Sequence, residues 1–452
     1  MKQIDENSFS RIELAIIEKH NCSDKEAKSI LNSLKLFINC DESIYQNRVL
    51  QSALLTAVNT GRRAFLGGVY VYLPKNVKCL FNWSGNKEME KIIKLLGGKV
   101  VDRKLKGPDV IYVGQNNSNI DYYRIVGNEW QGGVLVPGDN IKLSMNRNSK
   151  LCLGGIAASA IVVGLMFLKK SSIYSLALLE STGISLWRPD LIWCSKEAIG
   201  PKIKYLPQKY WLLGLGHLGQ AYLWNMSFLP FSNSSKVMVY LQDIDRIIKA
   251  NIDSGLLSFN NSIGKLKTRV CQKFLEDRKF ETRLIEKRFD KSFKVNRKDN
   301  EPLLALCGFD NLESRLELQH SEFDYIVNCG LGGALDSFDD IMIDSLPNSE
   351  TYKFWETRIN AKQDILHKTV NEILNKEMED KCGIFDIANK AISTSFVGAL
   401  AGTLALGDLL RGLNDGQRFM KINVSIRNLS NIKTTDSISY KSQLTPNGFL
   451  GV

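Results

Sequence analysis

Residues Gly214-Leu215-Gly216-His217-Leu218-Gly219 carry the spacing of a phosphate-binding loop, with the apolar run Tyr210–Leu213 before them and a helix-like run after. In such a loop the first glycine permits a tight turn. The second lets the backbone approach a phosphate or ribose, and the third lets helix and strand pack closely. Dehydrogenases share this loop, so it points to a nucleotide and not to a reaction. The next strand-like run ends in Asp243-Ile244-Asp245, where a carboxylate on ribose hydroxyls is expected. An NAD(P)-dependent oxidoreductase fits up to this point. Asn251 then follows eight residues after Asp243, and Lys267 sixteen after Asn251. Asp310-Asn311 closes a later apolar strand, with Arg315 four residues beyond Asn311. This spacing counts against a nicotinamide enzyme. Taken singly, Lys267 also fits a solvated helix lysine. Asp310 also fits a helix N-cap, since Asn311 opens LESRLELQ. His217 could touch a phosphate, cap the helix or face solvent.

Together these pieces resemble the ThiF/MoeB/ubiquitin-activating superfamily. The family pattern is a glycine loop, D-x-D followed by S-N-L-x-R, then I-G-x-x-K, then a strand ending in D-N. Here GLGHLG, DIDRIIKANIDS, IGKLK and GFDN stand in that order, within about residues 205–411. The resemblance implies ATP and Mg2+ as cofactors. It implies Gly214, Gly216 and Gly219 against the nucleotide, Asp243 on the ribose, Asn251 and Lys267 on the phosphates, and Asp310 on the metal. Attack of a carboxylate on the α-phosphate builds negative charge toward pyrophosphate. A fixed lysine, a metal ion and backbone N–H groups stabilise that charge. The chain also departs from the pattern. Ser254 stands where the family has an arginine. The family's second arginine, supplied by the partner subunit or half, has no clear counterpart; Arg48, Arg62 and Arg63 are candidates. The paired C-x-x-C zinc motifs of the bacterial cofactor-synthesis members are absent. A catalytically silent nucleotide-binding scaffold therefore stays open as an alternative.

Within the superfamily the chain resembles the Bil-type activating enzymes of bacterial antiphage ubiquitin-like conjugation systems. AVNTGRRAFLGGV, ISLWRPD, GLGHLGQAYLW and LQDIDRIIKAN carry this likeness. It implies a ubiquitin-like protein as substrate, a conjugating enzyme as partner and a role in phage defence. Ubiquitin-activating relatives pass the acyl group to a cysteine in a crossover segment. Here that segment is about 337–394, and its only cysteine is Cys382, in EMEDKCGIFD. A thiolate there, near lysines and followed by Gly383, would attack an acyl-adenylate. The alternative is a buried structural thiol. Cys307 and Cys329, within apolar strands, are expected in the core.

A chain of 452 residues is too long for one ordinary core. Residues 1–195 are expected to form an inactive adenylation-like domain with N-terminal helices, including Phe9–His20 and Asp24–Phe37. Residues 196–452 are expected to form the active ThiF-type domain. Strands alternating with helices predict an α/β fold of two Rossmann-like halves with doubly wound, mostly parallel sheets. The first half is degenerate, having no glycine loop. GGIAASAIVVGLMF and VGALAGTLALGDLL echo one another as small-residue helices and argue for duplication.

The bulk composition narrows the classes. The net charge of +11 is spread along the chain, which disfavours a dedicated nucleic-acid role. Nine scattered cysteines without a C-x-x-C pair argue for a reducing, cytoplasmic setting. The uncharged run Leu151–Leu168 is just short of a bilayer span and is expected as a buried core helix, with no membrane role. MKQIDENSFS lacks the apolar core of a signal peptide. The oligomeric state is left open beyond a pseudo-dimer within one chain.

Overall fold

The structure is a computed structural model that describes residues 10–83, 85–115, 121–141, 143, 149–360, 391–436 and 447–452. Its first half holds β1 (Lys35–Cys40), β2 (Gly68–Tyr72), a hairpin of β3 (Lys78–Trp83) and β4 (Asn86–Glu88), β5 (Gly98–Val101), β6 (Val110–Val113), β7 (Tyr123–Gly127), β8 (Gln131–Leu135) and β9 (Thr182–Ser185). Seven of these form one sheet in the order β5-β2-β1-β6-β7-β8-β9. Pairing is parallel up to β7 and antiparallel for β8 and β9.

The second half repeats the plan. It holds β10 (Tyr205–Pro207), β11 (Lys209–Leu213), β12 (Met238–Gln242), β13 (Glu281–Ile285), β14 (Leu304–Cys307), β15 (Tyr325–Leu331), β16 (Asp340–Leu346), β17 (Phe419–Ser425), β18 (Lys433–Asp436) and β19 (Phe449–Gly451). Its main sheet runs β13-β12-β11-β14-β15-β16-β17-β18. The first five strands are parallel and the rest antiparallel. Position by position, β5-β2-β1-β6-β7-β8-β9 matches β13-β12-β11-β14-β15-β16-β17. The fold is α/β with two Rossmann-like halves, as expected. Central strands such as β6 (VIYV) and β14 (LALC) are buried at every residue, which parallel sheets covered on both faces require.

The helices are α1 (Glu13–His20), α2 (Asp24–Ser33), α3 (Arg48–Ala64), α4 (Met89–Leu95), α5 (Leu153–Lys170), α6 (His217–Met226), α7 (Lys267–Glu276), α8 (Leu312–Leu316), α9 over residues 349–360 and α10 (Ser395–Leu413). One expectation fails here. Asp24–Phe37 is not a single helix, because α2 stops at Ser33 and β1 starts at Lys35. The capping box of Ser23 and Glu26 starts α2. Leu36, Ile38 and Cys40 then go into the core of a central strand, and burial on both faces overrides helical spacing. The crossover also begins later than expected. Residues 340–346 are β16, paired between β15 and β17, so the connection starts after Leu346. Cys382, expected in it, lies outside the described residues.

The two halves meet through helices. Helices α3 and α5 of the first half face α6 and α10 of the second, and all four are almost wholly buried. The two glycine-rich helices touch directly: a Cβ on Gly164 would stand 2.9 Å from the Phe396 ring. Trp224 Nε1 donates to Thr56 Oγ1 at 3.0 Å, and Ser395 Oγ to the Thr60 carbonyl at 3.0 Å. Helices α5 and α10 are long and apolar enough to span a bilayer, yet 89% of each such window is buried inside the protein. The run from Leu151 is therefore core, as expected.

Candidate functional site

The carboxyl ends of β11, β12 and β14 open into a cavity of about 370 Å³. This is the switch point of a doubly wound sheet, where successive connections leave in opposite directions and a crevice must form. All three glycines of the loop have a visible reason. Gly214 has φ +81°, which only glycine adopts without strain. A Cβ on Gly219 would stand 2.0 Å from the Gly214 carbonyl oxygen. A Cβ on Gly216 would meet nothing within 4 Å, because that face opens into the cavity. Gly216 is also the N-cap of α6, which has no side-chain cap. The helix thus presents unpaired N–H groups and its positive dipole end to the cavity, a ready anion site.

Asp243 ties this loop to the next strand. Its Oδ2 accepts from Leu215 N at 2.6 Å and its Oδ1 from Asp245 N at 2.7 Å. Lys267 is the first residue of α7 and is 9% exposed. Its Nζ lies 2.8 Å from Asp245 Oδ2 and 4.0 Å from Asp243 Oδ2. The expectation of a solvated helix lysine does not hold. A buried cation at a helix N-terminus opposes the dipole, and the two carboxylates offset that cost. Asn251 turns its amide by accepting from Ile248 N at 3.0 Å and lines the same cavity.

Asp310 follows β14 and faces the cavity with an exposed side chain. It is not the N-cap of α8. That place belongs to Asn311, whose Oδ1 accepts from Ser314 N at 2.7 Å. Arg315 holds the loop from behind, with Nε and Nη2 donating to the Phe309 carbonyl at 2.9 and 2.7 Å. Among the described residues no cluster of three or more His, Cys, Asp or Glu could hold a metal ion. A hard cation here would take Asp310, the exposed carboxylate at hand, and complete its shell on water and phosphate oxygens. That is how Mg2+ usually binds.

The arginine question resolves differently from expectation. Ser254 does line the cavity, with no long side chain to offer. Arg48, Arg62 and Arg63 do not reach it. Arg48 donates to the Leu80 carbonyl at 2.7 Å. Arg62 and Arg63 donate to the Ser258 carbonyl at 3.1 and 3.0 Å, and Arg63 also to Leu256. They clamp the loop carrying Ser254 onto the first half. The cation that enters from the first half is Arg11, just before α1. Its Nη1 donates to the Ala391 carbonyl at 3.1 Å. Lys287 and Arg288, after β13, add further positive charge. None of the three was singled out from sequence. Arg11 stands far from any motif in the chain, and only packing of the halves brings it in.

His217 neither caps α6 nor sits in bulk solvent. Its Nδ1 shares a 2.7 Å hydrogen bond with Ser393 Oγ, and its Nε2 is buried without a partner. Burial foremost, with Arg11 and Arg63 nearby, pushes its pKa down to about 4. Cys307 and Cys329 are fully buried, and burial pushes the Cys307 thiol up to about 12.

The equivalent place in the first half is closed. After β1 the chain turns at Asp41, whose carboxylate accepts from Tyr112 Oη at 2.6 Å and Gln115 N at 3.1 Å. Helix α3 is capped by Asn47, whose side chain accepts from Leu50 N at 3.1 Å. The N–H groups that α6 leaves free are partly satisfied in α3, and an aspartate stands at the turn where a phosphate would come.

A second depression of about 1030 Å³ adjoins this cavity and shares Asp310, Arg315, Leu331 and Gly332 with it. Residues of β16, α9 and β17 form its other walls.

Residues 35–186 match the BilD N-terminal domain family and residues 206–416 the BilD C-terminal domain family. The chain is 32% identical over 422 residues to the bacterial E1-like protein BilD of Collimonas sp. (strain OK412), covering 91% of this chain and 89% of that protein. Among solved structures, E. coli MccB with ATP is similar over 51% of this chain, at 14% identity and a TM-score of 0.35. E. coli MccB with a succinimide gives the same values, and the chain spans 63% of that chain's length.

Proposed function

The chain belongs to the BilD family of bacterial E1-like proteins, and from that premise we propose that it adenylates the C-terminal carboxylate of a ubiquitin-like protein with ATP. The observation that carries this reading is one cavity. In it an uncapped helix N-terminus at Gly216, Lys267, Asp310 and an arginine from the other half converge on the place where a triphosphate would lie.

In the proposed step a carboxylate oxygen of the partner attacks the α-phosphorus. The bond from that phosphorus to the bridging oxygen breaks, and pyrophosphate leaves with the electron pair. Lys267, Arg11 and the α6 N–H groups, which line the cavity, would stabilise the growing charge. Asp310 is the carboxylate offered to Mg2+, which would supply further neutralisation. The adjoining depression of about 1030 Å³, which shares Gly332 with the cavity, is the proposed entry for the partner's extended tail.

A thiolate then attacks the acyl carbon, and AMP departs. Cys382 is proposed as that nucleophile, with a conjugating enzyme as the acceptor that follows. Phage defence is the proposed setting. The test is ATP–pyrophosphate exchange with a candidate ubiquitin-like protein ending in an exposed glycine. Exchange should require that partner and vanish in Lys267→Ala and Asp310→Ala. Cys382→Ala should keep exchange and lose a reductant-sensitive adduct. Exchange without the partner, or an adduct that survives Cys382→Ala, would overturn the corresponding step.

A further inference from the structure

On the far side of the segment that carries Lys267 lies a separate groove of about 770 Å³. Leu266 lines this groove while Lys267 lines the nucleotide cavity, so the two depressions stand back to back. The groove runs between the halves. The first half supplies Trp83, Leu95 and Leu96, and the second supplies Leu257, Phe259 and Phe274. Leu95 is 60% exposed there and carries the apolar wall out to the surface.

The rim is basic. Arg269 is paired with Glu286 and Lys273 with Asp277. Arg246 and Lys265 stand exposed at the groove and have no ion-pair partner among the described residues. Arg278 is 4% exposed and lies 4.2 Å over the Trp83 ring and 3.7 Å over Phe274. Its Nη1 donates to the Phe274 carbonyl at 2.8 Å and Asp277 acts on it electrostatically, so this guanidinium is part of the wall and the surplus charge sits on Arg246 and Lys265. Apolar walls with surplus positive charge at the rim fit an amphipathic segment with acidic flanks.

We propose that this groove docks an amphipathic helix of a protein partner, with bulky apolar residues on one face and Glu or Asp beside them. The proposal is independent of adenylation and is tested on the full chain without ATP. The probes are two labelled helix-forming peptides with the same leucine face, one flanked by glutamates and one by lysines, and sodium laurate as a small acyl anion. Fluorescence anisotropy should show the acidic peptide binding at least about tenfold more tightly than the basic one, and weakening with salt. Leu95→Glu and Lys265→Glu, both at exposed positions, should each weaken it by about tenfold while ATP binding is unchanged. Equal binding of the two peptides would overturn the proposal. So would acidic-peptide binding indifferent to both substitutions. Laurate bound in the groove with neither peptide bound would assign it to a small amphiphile instead.

Discussion

The imidazole of His217 occupies the space that any side chain on Gly398 would need: a Cβ there would stand 2.2 Å from His217 Nε2. The glycine loop and the first turn of α10 are thereby interlocked. Gly398→Ala sets two effects against each other. Alanine gains up to about 1 kcal/mol in helix propensity. Overpacking a filled interior costs about 1–3 kcal/mol. The clash wins, because the ring is fixed by Ser393 and cannot retreat without disturbing Gly216. Gly398→Ala should lower the melting temperature, and His217→Ala in the same chain should recover part of the loss. A single variant as stable as the parent would show that the interlock is absent.

The same histidine sets a pH dependence. Its folded pKa is pushed from the ordinary 6.5 down to about 4 by burial. The unfolded chain therefore takes up a proton first as pH falls. Stability from this group is intact above about pH 6.5, declines through the interval to about 4, and loses at most about 3 kcal/mol. Asp253 and Asp344, whose carboxyl groups burial pushes up, act in the opposite direction. The check is thus a difference. Denaturant melts of the parent and His217→Gln should diverge as pH drops from 7 to 5, and parallel curves would refute it.

Lys267 and Asp245 differ in what their loss should do. The pair is half open to water, with Asp245 62% exposed, and an exposed pair contributes about 0–1 kcal/mol. Asp245→Asn should change partner-dependent pyrophosphate exchange by no more than about tenfold. Lys267→Ala removes the charge proposed to stabilise the departing pyrophosphate and should cost at least about a hundredfold. The comparison is made at saturating ATP and Mg2+. The reverse order of severity would mean that Asp245, rather than Lys267, bears the chemistry.

Much of this was legible in the sequence where function is written locally. GLGHLG, Asp243, Asn251, Lys267 and Asp310 fall within consecutive strand–helix units, and the sheet order draws them to one edge. The duplication could be read from two small-residue helices because close helix contact needs small side chains. The failures have physical causes too. Residues 35–40 carry Phe, Ile and Leu at spacings that suit a helix or a buried strand, and only pairing with β2 and β6 decides. Strands β16 and β17 were missed because antiparallel additions interrupt the alternation on which the reading relied. Arg11 and the uncapped end of α6 depend on contacts between halves and on a missing side chain, and neither leaves a motif.

Arg11 gives the sharpest test of whether the halves share one active site. Ser254 leaves the phosphate side short of one guanidinium, and the cations of α3 are engaged with the carbonyls of Leu256 and Ser258. Arg11 lines the cavity from outside the second sheet, and its one described hydrogen bond is to the Ala391 carbonyl. A guanidinium that must meet a phosphate fork is poorly replaced by an ammonium. Arg11→Ala should therefore slow partner-dependent exchange by about ten- to a hundredfold, with the melting temperature unchanged. Arg11→Lys should recover only part of that rate. If the loss appears in ATP affinity alone, Arg11 binds ground state and transition state alike; if exchange is untouched, Lys287 and Arg288 carry the phosphate side and the first half is a purely structural partner.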